Sequence, residues 1–429
     1  MEKILINKVK EVLYHEVLEN GLEVFMVPNN KVSETQISFT TKYGSTNVEF
    51  IPRGQKEMKS YPNGIAHFLE HKLFEQKDGT HMLSYYSNNG ASANAYTSLY
   101  VTSYYFRCTD KLNENLKMLL DFVQDPYFTD ENVEKEKGII KEELLMHEDI
   151  PDSYLEEESC ALTFINHPIK NNIAGTAKEV DMITKEDLYE NYNTFYHPSN
   201  MFVVATGNFD PEKIISIIKN NQLRKTFSPA SKIIVKEIDE PNMVKKEYEE
   251  IKKNVEITKV TVNYKIPISN KKIELSKLMI YSNILIDTLL GQSSFFNERM
   301  KEKGYIFSPI TYDIINTKQH LFYNIVADTN YPKELVEEIK NSFHNFKMDE
   351  EEFLTKKKLF LSLQVYLYDN ISAVNHDIVD DIINYQKHDT DIDKLANSLQ
   401  LNEFNEMVSK FDFTKTSVLI VNPISRKEK

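Results

Sequence analysis

His67-Phe68-Leu69-Glu70-His71 is the segment of this chain best equipped to do chemistry. Residues four apart share one face of a helix, so the imidazoles of His67 and His71 can converge on a single metal ion with Glu70 close beside His71. Neutral imidazole suits Zn²⁺, and a catalytic zinc site takes three protein ligands and keeps a fourth position open for water. A third ligand is therefore required, and Glu136 and Glu143 are the candidates. Seven residues apart, they differ by about 20° around a helix, so they share a face and either can reach a metal. Taken alone, two such glutamates read as a solvated helix face. Their coincidence with the histidine pair is what gives them weight.

These side chains need elements to hold them. Residues 65–75 follow Pro62-Asn63-Gly64 and have the periodicity of a helix carrying both histidines. Thr129-Asp130-Glu131-Asn132 is an acidic helix start, and the helix it opens runs through Glu136 and Glu143 towards Pro151. Residues 22–27, after the turn pair Asn20-Gly21, alternate like a strand, as do 36–39; together they predict a hairpin or meander. The stretch 92–106 is dense in Thr, Tyr, Val and Phe and reads as paired strands. Residues 112–123 and 184–195 read as helices, and 202–205 as a buried strand closed by Gly207. Strands and helices mix without strict βαβ alternation, which predicts an α+β fold with mostly antiparallel sheets.

A length of 429 residues implies two to three domains at about 150 residues each. The balance of 41% hydrophobic and 27% charged residues excludes disorder, collagen and coiled-coil arrays. A net charge of -14 disfavours nucleic acid and anionic membranes as partners. Cys108 and Cys160 cannot make a disulfide scaffold, so a reducing compartment is expected. The first residues have no apolar core and carry Glu2, Glu11 and Glu16, unlike a secretory or organellar leader. No apolar run of about 18 residues follows, so the expected location is cytoplasmic.

The stretch 226–243 is polar, carries Pro229 and Pro241, and predicts a linker between a domain at 1–225 and another at 244–429. The second domain echoes the first: a strand at 321–326, a helix at 333–343, then an acidic helix start at Asp349-Glu350-Glu351-Glu352. Where the first domain has Glu136 and Glu143, the second reads TKKKLF. The expectation is a catalytic zinc-binding domain followed by a similar, non-catalytic one.

The blocks Asn20-Gly21-Leu22, GIAHFLEHKLFE at 64–75, SANAYTS at 92–98, Glu134-Lys135-Glu136 through Glu143, and PSNMFVVATGNFD at 198–210 resemble the pitrilysin/insulinase family of H-x-x-E-H zinc metallopeptidases. Within it, the chain is similar to the short two-domain bacterial members related to mitochondrial processing peptidase subunits. The resemblance implies one Zn²⁺ per chain held by His67, His71 and Glu143. It makes Glu70 the catalytic base and places Glu136 in the catalytic set as a carboxylate supporting the site from behind. Asn94, Ala95 and Tyr96 then lie on a substrate-binding edge strand, where an extended peptide adds by backbone hydrogen bonding. The implied activity is that of a zinc endopeptidase cleaving peptides or unfolded segments, for processing, degradation or maturation of a small peptide product.

One departure bears on partners. The family carries, in its second half, an Arg and a Tyr that meet the substrate carbonyl; aligned on Gly304, those positions fall on Met300 and Phe307, with Arg299 and Tyr305 out of register. The resemblance therefore implies a homologous partner chain supplying the Arg/Tyr pair, with a homodimer as the competing arrangement. A catalytically weak partner or binding subunit is the alternative function: the missing pair favours it and the intact zinc constellation opposes it.

Overall fold

The computed structural model describes residues 1–148, 150–268, 273–344 and 346–424. The chain opens with strands β1 (Glu2–Ile6), β2 (Glu11–Val17), β3 (Glu23–Pro28) and β4 (Thr35–Thr41), and a short ribbon of β5 (Glu49–Phe50) and β6 (Lys59–Ser60). Helices α1 (Ile65–Leu73) and α2 (Met82–Asn88) precede β7 (Ala91–Thr97) and β8 (Thr102–Cys108). Then come α3 (Leu112–Val123), α4 (Asp130–Glu148), α5 (Pro151–Thr163), α6 (Ala177–Met182), α7 (Lys185–Phe195), β9 (Met201–Gly207) and α8 (Pro211–Gln222). The later part runs β10 (Tyr248–Lys253), β11 (Lys259–Pro267), α9 (Leu275–Leu290), α10 (Phe295–Glu302), β12 (Thr311–Asn316) and β13 (His320–Asp328). It closes with α11 (Pro332–Phe343), α12 (Glu350–Leu367), α13 (Ile371–Tyr385), α14 (Ile392–Ser398), α15 (Leu401–Lys410) and β14 (Thr416–Pro423).

The main sheets have orders β1-β2-β3-β9-β4-β8-β7 and β10-β14-β11-β13-β12. Within the first, β3 pairs parallel with β9, while β4 pairs antiparallel with β9 and β8, and β7 with β8. The second repeats this pattern: β10 is parallel to β14, β11 antiparallel to β14 and β13, and β12 antiparallel to β13. The chain is thus an α+β protein of two similar halves with mostly antiparallel sheets. The turn at Asn20-Gly21 joins β2 to β3 as a hairpin. The expected pairing of 22–27 with 36–39 is corrected, because β9 lies between β3 and β4. Every residue of β9 is buried, and a strand buried on both faces is held best with a neighbour on either side.

The compact units are interleaved along the chain. One contains residues 1–144, 172–237 and 363–392; the other contains 145–171, 238–362 and 393–429. The change-over at 237/238 falls within 226–243, but 145–171 and 363–392 lie in the unit opposite to the one that a single cut would assign. Strand alternation accounts for both. On β4, Ile37 and Phe39 enter the apolar core, while Gln36 and Ser38 point to the other face, where α13 packs. There Ser38 donates to Asn375 Oδ1 (2.8 Å) and Ser372 to Gln36 Oε1 (2.6 Å). On β11, Val262 and Tyr264 enter the other core, while Thr261 faces Ser159 of α5 (2.9 Å). Each of these polar strand positions is buried by a helix distant in sequence.

The second unit holds a buried ion pair, Lys265 with Glu240, and Glu240 also accepts the backbone N–H groups of Ile165 (2.9 Å), Asn166 (2.7 Å) and His167 (2.6 Å). The adjacent His167 accepts the Ile169 N–H at Nδ1 (3.1 Å), which requires an unprotonated nitrogen. Burial, only partly offset by Glu240, pushes His167 down to about 4, and burial beside Lys265 does the same to His320. The unfolded chain takes up these protons near pH 6.5 and the folded chain only near pH 4, so stability is expected to fall as pH drops through that window. Thermal unfolding of the metal-free chain between about pH 7 and about pH 4.5 checks this. His167→Asn, which keeps an acceptor but does not titrate, should shallow the decline; an unchanged slope would exclude His167 as a contributor.

Candidate metal centre

Helix α1 is only nine residues long and owes its place to packing. Ile65, Ala66, Phe68, Leu69 and Leu73 are buried in the core, which leaves His67, Glu70 and His71 on the remaining face. Its entry is fixed by two glycines. Gly64 has φ +87°, and a Cβ there would lie 2.2 Å from the Ala174 carbonyl oxygen; a Cβ on Gly175, φ +75°, would lie 2.4 Å from that of Asn63. Gly64→Ala should therefore cost at least about 1 kcal/mol and displace the start of α1, read as a lower Tm together with weakened metal binding. Unchanged values would show that the approach is not needed.

Opposite α1 lies α4, capped where the Asn132 N–H donates to Thr129 Oγ1 (3.1 Å) and with Asp130 and Glu131 in its first turn. Val133, Glu136, Ile140 and Leu144 form its buried stripe, so Glu136 and Glu143 flank Ile140 on the face that meets α1 rather than facing solvent. Glu143 approaches both histidines, Oε1 at 3.6 Å from His67 Nε2 and Oε2 at 3.4 Å from His71 Nε2. Glu136 meets the other side of the same ring, its Oε1 3.1 Å from His71 Nδ1. A carboxylate only accepts, so the proton belongs on Nδ1, which leaves the Nε2 lone pair directed at the space shared with His67 and Glu143. Sequence spacing left open which glutamate meets the histidines; the geometry gives the two distinct places.

One donor atom from each of His67, His71 and Glu143 lies within 4.8 Å of the others. Two imidazoles and a carboxylate are a donor set that zinc favours, and a carboxylate bonded to the far nitrogen of a ligating histidine is the usual second layer of such sites. The residues present therefore fit the ion.

The charges are arranged around this triad. Burial pushes the Glu70 carboxyl up against the opposing hydrogen bond from Thr97 (2.7 Å to Oε2). Burial pulls the other way at His71, but the Glu136 hydrogen bond and the three surrounding carboxylates outweigh it and raise the imidazole. At Glu136, burial is outweighed by His71 and Lys72, and the carboxyl is lowered. Lys72, fully buried, bridges Glu136 Oε2 (3.5 Å) and Glu75.

Asn94, Ala95 and Tyr96 lie on β7, the outermost strand of the seven-stranded sheet. Asn94 is exposed, the Ala95 N–H donates to Asn94 Oδ1 (2.9 Å), and Tyr96 stacks on His376 with ring centroids 5.3 Å apart. The strand that carries these three residues ends at Thr97, which touches Glu70.

Sequence reasoning missed Lys72, whose burial no local pattern signals, and Thr97, which stood within the SANAYTS block without a role. It also missed the other metal-type cluster among the described residues, Asp377, Asp381 and His388. There both imidazole nitrogens are engaged, Nδ1 by Asp381 (2.7 Å) and Nε2 by the Tyr368 hydroxyl (3.2 Å), which fixes the C-terminal end of α13.

The family model described as Insulinase (Peptidase family M16) matches residues 42–177, and that described as Peptidase M16 inactive domain matches 182–360. A Bacillus subtilis (strain 168) protein named as the uncharacterized zinc protease YmfH is 41% identical over 370 residues, spanning 86% of this chain and 85% of that one. The mitochondrial-processing peptidase subunit beta of Caenorhabditis elegans is 29% identical over 196 residues, 42% of each chain. A crystal structure described as an M16-like peptidase from Alicyclobacillus acidocaldarius superposes with a TM-score of 0.91 at 29% identity, covering 96% of this chain and 99% of that one.

Proposed function

The chain belongs to the insulinase family of peptidases, M16, and from that premise we propose that it is a zinc-dependent endopeptidase acting on peptides or unfolded protein segments. The observation that carries this reading is the convergence of His67, His71 and Glu143 beside the buried carboxyl of Glu70. His67, His71 and Glu143 would hold one Zn²⁺, which when bound supplies a Lewis acid that polarises a peptide carbonyl and acidifies water. Glu70 takes the proton of the attacking water and returns it to the departing amine. Glu136, backed by Lys72, keeps His71 in the tautomer that presents Nε2. The edge of β7 at Asn94, Ala95 and Tyr96 receives the substrate as an added strand, which selects for extended backbone more than for side chains.

A homologous partner completes the site in this proposal. Met300 is fully buried in the core of the second unit, Phe307 stands exposed at the Tyr position, and the Arg299 guanidinium is engaged by Glu338 (2.8 Å). No residue at these positions offers the Arg/Tyr pair. The same observation favours the alternative, a weakly active subunit of a peptidase complex. Buried, free Cys108 and Cys160 suit a reducing cytoplasm, and among the described residues no helix is long and apolar enough to cross a membrane.

Cleavage of a quenched-fluorescent peptide library by the purified chain, alone and co-expressed with a homologous chain that carries the Arg/Tyr pair, tests both parts. Cleavage that needs the partner is the expected result. Full activity of the chain alone, as monomer or homodimer, removes the heterodimer; silence in both arms removes the endopeptidase.

A further inference from the structure

We propose that Thr97 is the positioning residue of the catalytic base: its hydroxyl holds one oxygen of the Glu70 carboxylate so that the other is presented to the attacking water. This inference rests on the peptidase reading and adds to it a link between the substrate strand and the base.

A threonine hydroxyl has one proton to give, and its surroundings decide where that proton goes. Among the described residues, Thr97 Oγ1 has two oxygen neighbours, Glu70 Oε2 at 2.7 Å and Thr102 Oγ1 at 3.4 Å. The fully buried Thr102 commits its own proton to the Tyr43 carbonyl (2.9 Å), so it can only accept from Thr97. The nearer and charged acceptor wins, since hydrogen bonds to carboxylates are shorter and about twice as strong as neutral ones. Thr97 therefore donates to Glu70, and Oε2 is held while Oε1 is left to take up a proton.

The backbone fixes the donor as firmly as the proton. Thr97 is the last residue of β7 and pairs directly with Thr102 across a tight turn closed by the Ser98 N–H to the Val101 carbonyl (2.8 Å). Alternation along the strand puts Thr97 on the face of Ala93 and Ala95, whose small side chains pack on the core and allow α1 to lie close. A β-branched residue has a restricted χ1, so the strand position sets the hydroxyl position. The carboxylate of Glu70 is thus referenced to the strand on which the peptide is proposed to dock, and docking and base placement share one rigid element. A nearby misplacement of about 1 Å in such a group can cost about 100-fold in rate.

Thr97→Val keeps shape and β-branching but has no proton to donate; Thr97→Ser keeps the proton. With a quenched peptide that the wild-type chain cleaves, together with its partner where activity requires one, Thr97→Val should lower kcat by about 10–100-fold with KM and zinc content within about twofold, and Thr97→Ser should restore kcat to within about threefold. A Val variant with wild-type kcat, or a Ser variant no better than Val, would overturn the proposal. A crystal structure of the metal-free Val variant reads the same point without activity: the Glu70 carboxylate should leave its wild-type position, and an unmoved carboxylate also overturns it. Wild type that cleaves no peptide while Glu70 does move in the Val variant would instead count against the peptidase reading alone.

Discussion

Glu70→Gln is expected to keep zinc bound and to lose peptide hydrolysis by about 10²–10⁴-fold in kcat, the range a general base contributes. The replacement has the same shape, and its amide oxygen can still accept the Thr97 hydroxyl, so neither packing nor the placement of α1 should change. What it cannot do is take up a proton. Glu70 is not among the three converging donors, so metal content should stay at the wild-type level. Kinetics on a cleaved peptide with metal analysis on the same sample separate the two effects. A variant with wild-type kcat would remove Glu70 as base. A variant that lost its zinc would place Glu70 among the ligands instead.

Glu143→Gln is expected to do the reverse and lose the metal. The change removes the only carboxylate of the triad and the charge that offsets the ion, and it sets a neutral amide oxygen, a poor zinc ligand, beside the two imidazoles. Glu136→Gln should fall between, weakening affinity by about 10–100-fold, because its amide oxygen can still accept the His71 Nδ1 proton but lacks the charge that strengthens this bond and pairs with Lys72. Chelator competition at one fixed pH gives the ranking, the pH being held because ligand protonation competes with the metal. Equal affinity for wild type and Glu143→Gln would remove Glu143 as a ligand. A larger loss at Glu136 than at Glu143 would exchange their roles.

Much of the frame that carries these residues is written locally. The periodicity of 65–75, the acidic start at Thr129 to Asn132 and the Asn20-Gly21 turn are short-range signals, and α1, α4 and the β2–β3 hairpin appear where they indicate. The echo between halves extends to sheet topology, and Lys356, the seventh residue of α12 as Glu136 is of α4, pairs there with Asp287 (2.6 Å). The second half keeps a charged link between helices at this place, with a lysine instead of the carboxylate.

The features that were not legible depend on distance along the chain. Nothing near β3 announces that its parallel neighbour lies about 180 residues away, and pairing with the next strand is the local default. Gln36 and Ser38 alternate with Ile37 and Phe39 as a half-solvated strand would, and only α13 arriving from residues 371–385 buries them. The same holds at the centre itself. Helical geometry brings His67 to His71 and Glu136 to Glu143, but it cannot say which glutamate faces Nε2, nor that Thr97 and Lys72 stand behind the carboxylates.

A zinc site made by His67, His71 and Glu143 is read from the zinc content of the chain purified without chelators, wild type beside His71→Ala. One zinc per wild-type chain and none in the variant is the predicted result. A wild-type chain without zinc, or a variant that retains it, would show that these three residues do not hold the metal.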